Sequence, residues 1–276
     1  MKPIAFTATA FAALALAATA AQAQTAPSWT GGYIGGHAGY GFQRSNDQES
    51  ILFDKDLNGT FNDTVTTTTG ANAFSPGFCG GRARGPTPAS GCDKDDDGLD
   101  LGLRAGYDWQ TSGGWVFGGV AEIATVNAND GGAAFSTTPA SYTFRRELNW
   151  TAAARLRFGY GTDRVLPYVT GGIAYSDIDH TFSTTNTANT FVARKDDKAW
   201  GYQFGGGVEA RVMPKVTLGL EYLYTSVKDK DYTVRAQGPV AATNPFILTN
   251  AQGTDMRRSD QRFNYHAVRL TAAYRF

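Results

Sequence analysis

Residues 265–276 carry the clearest pattern in the chain. His266, Val268, Leu270, Ala272, Tyr274 and Phe276 take alternate, mostly apolar positions, and Ala267, Arg269, Thr271, Ala273 and Arg275 fill the gaps. Successive side chains of a strand point to opposite faces, so the segment predicts a strand with one greasy face and one charged face. In a water-soluble sheet the apolar face meets a core. In a membrane barrel it meets lipid, and the charged face lines the interior.

The same alternation recurs in seven earlier runs. Ile34, Ala38, Tyr40 and Phe42 alternate with Tyr33, His37 and several glycines. Leu101, Leu103, Ala105, Tyr107 and Trp109 alternate with Gly102, Arg104, Gly106 and Asp108. Trp115, Phe117, Ala121 and Ile123 oppose Val120 and Glu122, and Leu148, Trp150, Ala152, Ala154, Leu156 and Phe158 oppose Arg155 and Arg157. Further along, Val169, Ile173 and Tyr175 oppose Tyr168 and Thr170, while Trp200, Tyr202, Phe204 and Val208 oppose Gln203, Glu209 and Arg211. Val216, Leu218, Leu220, Tyr222 and Tyr224 oppose Thr217, Glu221 and Thr225. Eight antiparallel strands allow a barrel to close with no unpaired edge.

The spacing of these runs separates two rims. Short links fall at 110–114, 161–164 and 213–215, and long polar links at 43–98, 127–146, 176–198 and 226–262. Short periplasmic turns alternating with long outer loops are the signature of outer-membrane barrels. Trp29, Trp109 and Trp115 fall at the short-turn rim and Trp150 and Trp200 at the other, as expected for two interfacial aromatic girdles. The expected fold class is all-β, an eight-stranded antiparallel transmembrane β-barrel.

The amino terminus bears on the compartment. Lys2, an Ala-, Leu- and Phe-rich run over 4–20, and Ala21-Gln22-Ala23 describe a secretory signal peptide over residues 1–23, with the barrel domain over 24–276. The full chain balances 25 basic against 25 acidic residues, so removing Lys2 leaves about −1. Near-neutrality argues against nucleic acid as a partner. Mean hydropathy is negative, which suits a barrel that hides apolar residues at every second position.

The alternation points Arg104, Asp108, Glu122, Arg155, Arg157, Glu209, Arg211, Glu221, Arg269 and Arg275 inward. Eight strands enclose a bore that side chains can fill, so the acids and bases are expected to cross-pair around trapped water as a charged plug. An Arg-lined ion path is the alternative. Glycines within the strands, such as Gly35, Gly39, Gly106, Gly171, Gly205 and Gly207, are read as sites of close approach in a tightly curved sheet.

Candidate chemistry in the loops is sparse. Two acidic repeats, Asp54-Lys55-Asp56-Leu57-Asn58-Gly59 and Asp93-Lys94-Asp95-Asp96-Asp97-Gly98, resemble the start of a calcium loop, with Asp54, Asp56 and Asn58, or Asp93, Asp95 and Asp97, as ligands. Position twelve is Val65 or Arg104 in place of the bidentate Glu, so weak calcium binding stands against a solvated acidic turn; no other cofactor is implied. Cys79 and Cys92, the only cysteines, are expected to form a disulfide in an exported chain. His37, His180 and His266 are far apart in sequence, and no serine takes the near same-face position beside His266, so no catalytic constellation is expected.

These residues also carry a family resemblance. Trp29-Thr30-Gly31-Gly32-Tyr33-Ile34-Gly35-Gly36-His37-Ala38-Gly39-Tyr40-Gly41 resembles the first strand of the alphaproteobacterial outer-membrane β-barrels, the opacity-like surface antigens, and residues 166–175 resemble the fifth. Residues 200–209, Leu220-Glu221-Tyr222-Leu223-Tyr224 and Phe276 complete the likeness, while the long first loop with its cysteines and acidic repeats departs from it. The resemblance implies a non-enzymatic surface protein of the outer membrane. Its barrel would anchor extracellular loops and contribute to envelope integrity, with a narrow porin-like channel as the alternative. Outer-membrane lipid and loop-mediated extracellular contacts are the implied partners. Leu270, Ala272, Tyr274 and Phe276 resemble the signal read by the barrel-assembly machinery.

Overall fold

The computed structural model describes residues 28–43, 49–194, 198–229, 232–238 and 241–276. The signal-peptide reading falls on residues 1–23, outside the described residues. Sixteen strands follow one another among the described residues: β1 (Gly31–Phe42), β2 (Ile51–Asp54), β3 (Gly77–Gly80), β4 (Arg82–Ala83), β5 (Cys92–Asp93), β6 (Gly98–Gln110), β7 (Trp115–Val126) and β8 (Asn129–Ser136). The second half contains β9 (Ala140–Tyr160), β10 (Val165–Thr184), β11 (Thr190–Arg194), β12 (Lys198–Met213), β13 (Val216–Lys228), β14 (Thr233–Gln237), β15 (Thr254–Arg258) and β16 (Arg262–Arg275).

Eight of them are staves of a closed antiparallel barrel, in the order β1, β6, β7, β9, β10, β12, β13, β16 and back to β1. The closing register pairs Tyr33 with Arg275 and Phe42 with His266. Closure leaves no open sheet edge among the staves, the condition for crossing a lipid layer with strands. The exposed faces are those the alternation predicts, with Leu156, Ile173, Leu220 and Leu270 turned outward and Arg104, Glu122, Arg155 and Arg269 turned inward. Several interior glycines make room for a neighbour: a Cβ at Gly118 would collide with the Asp108 carboxylate, and one at Gly106 with the Tyr33 ring.

One alternation breaks. Along β9, Trp150 pairs with Asp177 and Leu148 with Ile178, which leaves Asn149 as an extra residue in a β-bulge. The bulge reverses the facing above it, so Leu148 packs inside with Ala128, Ile178 and Phe263 and does not meet lipid as the pattern predicts.

The long links are not the hydrated loops the composition suggests. Strand β9 runs on above the barrel, paired with β8 from Glu147 to Ala140 and with β10 from Glu147 to Tyr142, and β3 adds to the far edge of β8. A separate four-stranded sheet, β11-β14-β15-β2, lies among the outer connections. Ile51, Phe53, Val65, Phe74, Tyr142, Phe144, Phe246 and Met256 form its buried core, with Phe53 and Phe74 ring centroids 4.4 Å apart. The loops therefore form a folded outer cap with its own apolar interior.

Candidate functional site

The barrel interior is a continuous ionic network. Arg104 on β6 donates to Glu209 on β12 at 2.7 Å, joining staves at opposite sides of the ring. Arg157 reaches the same Glu209 at 2.9 Å and donates to the Tyr33 hydroxyl at 2.7 Å, with its guanidinium 4.0 Å from the Tyr168 ring centroid. Arg155 pairs with Glu122 at 3.0 Å and donates to Gln203 at 2.6 Å. Arg269 bridges Asp100 and Glu122, at 2.6 Å to each. Tyr168 donates to Glu221 at 2.7 Å, and Arg275 joins Asp108 at 2.8 Å.

Local sequence explains why these groups converge. Each charge sits on an inward parity, and the small residues Gly102, Gly106 and Gly118 stand where His37, Tyr33 and Asp108 need space. Charges this deeply buried persist only when paired and hydrogen-bonded. Some interior atoms, including Arg104 Nε and Asp108 Oδ1, have no protein partner, and it is at such atoms that the water expected from the sequence would bind.

The structure brings together nine of the ten charges predicted to lie inside, and it moves the tenth. Arg211 keeps the inward parity of Glu209 but is the last regularly paired residue of β12 before the turn, so it lies at the short-turn rim and donates to the carbonyls of Asp163 and Ser28. Asp100 takes a place in the network that the sequence reading missed. Its parity matches Arg104, and β6 begins at Gly98, ahead of the alternating run that opens at Leu101. His37 also joins, 2.9 Å from Asp100 and 3.7 Å from Glu122. With these changes Arg104, Arg155, Arg157, Arg269 and Arg275 face Asp100, Asp108, Glu122, Glu209 and Glu221, an even balance.

Trp29 is a second correction. It is fully buried and not part of a girdle: its indole donates to the Thr162 carbonyl at 2.6 Å, and Arg275 and Arg211 lie over its ring. It closes the short-turn end of the interior from within. Trp109, Trp115 and Trp200 stay exposed on the outer surface as predicted.

A second ionic cluster ties the cap to the outer mouth. Arg146 pairs with Asp130, with Asp229 at 3.0 Å and with the Arg262 carbonyl at 2.8 Å. Arg258 pairs with Glu49 and, at 2.6 Å, with Asp130. Burial alone would raise the Asp229 carboxyl, but the hydrogen bond from His180 and the Arg146 charge hold it down at about 2. Asp95 moves the other way, pushed up to about 6 by burial and by the nearby charge of Asp130.

The two acidic repeats behave differently. Asp54, Asp56 and Asp63 place carboxylate oxygens within 4.8 Å of one another, and Asn58 lies beside them. Asp54 is already engaged by the Asn58 and Gly59 amides. The second repeat does not gather. Asp93 pairs with Arg82 and Arg84, Asp95 accepts from the Gly131 amide, and Asp97 accepts from the Gln43 amide. Cys79 and Cys92 form the disulfide, which joins β3 to β5 and closes the loop bearing β4. His266 lies on the outer face, stacked on Phe42 and 2.6 Å from the Tyr222 hydroxyl. The cap also holds an open cavity of about 260 Å³ between Phe74, Tyr142, Phe246 and Asn186.

Comparison with known proteins bears on this architecture. Residues 11–276 match the family described as outer membrane protein beta-barrel domain. The chain is 28% identical over 250 residues to the 31 kDa outer-membrane immunogenic protein of Brucella melitensis, covering 90% of this chain and 84% of that protein. It is 30% identical over 142 residues to a 22 kDa outer membrane protein of Rhizobium leguminosarum, covering 51% of this chain and 59% of that one. Among solved structures, OprG from Pseudomonas aeruginosa aligns at 14% identity with a TM-score of 0.48, over 90% of this chain and 96% of that one. At that identity and score the likeness says nothing of function.

Proposed function

The chain belongs to the outer membrane protein β-barrel domain family and resides in the outer membrane of a Gram-negative cell, and from that premise we propose that it is a non-enzymatic surface anchor. In this reading the barrel holds a folded extracellular cap at the cell surface and reinforces the envelope, without a standing pore. The observation that carries it is the Arg104–Glu209 contact between opposite staves, continued through Arg157, Arg155 and Arg269. Five guanidinium groups and five carboxylates leave the bore filled with fixed charge, and Trp29 packs under them at the short-turn end. A conducting path would need several of these buried pairs to separate together, and separating even one is costly.

The cap supports the surface half of the reading. It is a packed β structure with an apolar core and a disulfide, so it presents a fixed relief to the outside. The Brucella relative is named for its immunogenicity, which suits an exposed, ordered surface of this kind. The test is purified barrel in planar bilayers and in liposome-swelling assays. The expected result is no stable single-channel conductance and no solute permeation above protein-free vesicles. A large, steady open level would refute the closed-anchor reading and favour a porin-like channel.

A further inference from the structure

The outer surface of the barrel carries one feature that neither the interior plug nor the cap uses. On the lipid-facing side, Lys228 of β13 and Arg262 of β16 are direct cross-strand partners, so two cations stand side by side at the outer ends of adjacent staves. Like charges placed opposite one another in a ladder repel and weaken it. Neither has a carboxylate within ion-pairing distance among the described residues. The Arg262 Nε donates to the Ser226 hydroxyl at 2.9 Å, and its guanidinium lies 5.4 Å from the Tyr202 ring centroid. The guanidinium thus lies over the outward face beside Tyr202, and its two terminal nitrogens make no hydrogen bond to the described residues.

The level of this pair is fixed by the aromatic residues below and beside it. Trp200, Tyr202 and Phe204 on β12, Tyr224 on β13 and His266 on β16 form an outward-facing patch, with Phe204 and Tyr224 centroids 5.1 Å apart and Tyr224 and His266 also 5.1 Å apart. Exposed Trp and Tyr rings mark the depth at which acyl chains give way to headgroups. Lys228 and Arg262 therefore sit at headgroup depth on the long-loop side, which is the outer leaflet of the barrel's membrane.

We infer that Lys228 and Arg262, above the Tyr202–Tyr224 aromatic patch, form a binding site for the phosphate of a phosphorylated outer-leaflet lipid. The chemistry is complementary at both ends. A guanidinium and an ammonium meet a phosphate, with the guanidinium offering paired N–H donors, and the aromatic rings below accept the first carbons of the acyl chains. The bound anion also removes the repulsion between the two cations, which gives lipid binding a stabilising effect on the β13–β16 seam. This assignment does not depend on whether the interior conducts.

The test uses the purified full-length mature barrel, delipidated in detergent and titrated with diphosphorylated lipid A, with bound lipid counted by native mass spectrometry. Both basic residues contribute to attraction of an anionic headgroup, so Lys228→Gln with Arg262→Gln should weaken binding on the order of tenfold or more. The charge-preserving pair Lys228→Arg with Arg262→Lys should stay close to wild type, and Arg194→Gln, an exposed cation in the cap, should leave binding unchanged. Dephosphorylated lipid A should bind wild type as weakly as intact lipid A binds the double Gln variant. Heat-modifiable migration on gels checks that every variant is folded. Equal binding by wild type and the double Gln variant would overturn the site, as would equal binding of lipid with and without phosphate. Displacement of lipid A by an equal concentration of inorganic phosphate would overturn the lipid assignment.

Discussion

Replacing Arg269 with methionine isolates the energetics of the interior. Its guanidinium is fully buried and holds Asp100 and Glu122 at 2.6 Å each, with Glu221 at 3.8 Å. Methionine keeps most of the side-chain volume but leaves five carboxylates facing four guanidinium groups. Glu122 retains Arg155 at 3.0 Å, whereas Asp100 retains only His37 among its interior partners. Removing one partner of a buried pair costs about 3–5 kcal/mol, because the remaining charge is stranded. With a urea m-value of about 2–3 kcal/mol/M, the unfolding midpoint should fall by about 1–2 M. The assay is urea titration of the refolded barrel in detergent micelles, followed by tryptophan fluorescence, with unfolding and refolding limbs required to coincide. Two comparisons separate charge from packing. Arg211→Met, at the rim, should cost about 1 kcal/mol or less because its loss strands no carboxylate: it meets two exposed carbonyls and the Trp29 ring, over which methionine still packs. The double variant Arg269→Met with Asp100→Asn restores four against four and should recover much of the loss. A single Arg269→Met variant within about 1 kcal/mol of wild type, or a double variant no better than the single, would refute the paired-network account.

Three further outcomes follow from the cap and the closing stave. Serine at both Cys79 and Cys92 opens a loop with a sequence separation of 13 and should lower local stability by about 2–3 kcal/mol, read as faster proteolytic nicking between those positions with the barrel intact. Asp95 has its pKa raised to about 6 from an ordinary value near 3.8, so its effect on the cap's stability is most favourable below about pH 4 and is lost as pH rises through 6. Asp95→Asn should therefore stabilise the cap at pH 7.5 and flatten its stability between pH 4 and 7, measured by hydrogen exchange at Gly131 and its neighbours. Asp229, held at about 2, contributes stability that is present above pH 4 and lost only as pH falls through 2, so it should leave that window unaffected. Deletion of Phe276, whose amide donates to the Gly32 carbonyl at 3.0 Å and whose ring packs edge-on against Tyr274, should reduce the heat-modifiable barrel recovered from outer membranes. Undiminished recovery would count against the role of Leu270, Ala272, Tyr274 and Phe276 as an assembly signal.

The period-two pattern made the barrel legible because facing along a strand is a local property. Leu270 and Arg269 take opposite sides wherever the strand goes, so the eight staves, their outward faces and nine of the interior charges could be read from residue order. Facing failed where one extra residue entered the ladder. Asn149 inverted Leu148 and carries no mark in composition, whereas Arg211 keeps the inward parity and lies at the rim because the regular ladder ends there. Trp29 departs from the expected girdle because it lies outside the alternation of β1. A tryptophan just before a stave can turn toward lipid or toward the lumen, and the choice follows from its contacts with Gln110 and Thr162, far away in the chain.

What the sequence determined by itself was the alternation, the short and long rims, and the supply of charge for a polar interior. Tertiary structure alone decided which charges meet. Arg104 and Glu209 are 105 residues apart and touch because ring closure sets β6 opposite β12, and Asp100 balances the interior only when β16 returns to bring Arg269 beside it. The cap was decided in the same way. Phe53, Phe74, Tyr142 and Phe246 are scattered among polar connections, and no period joins them until the outer strands pair and remove their rings from water together. Local geometry fixes which way a side chain points, while partners across a closed ring or a folded cap depend on chain reversals that no short window of sequence contains.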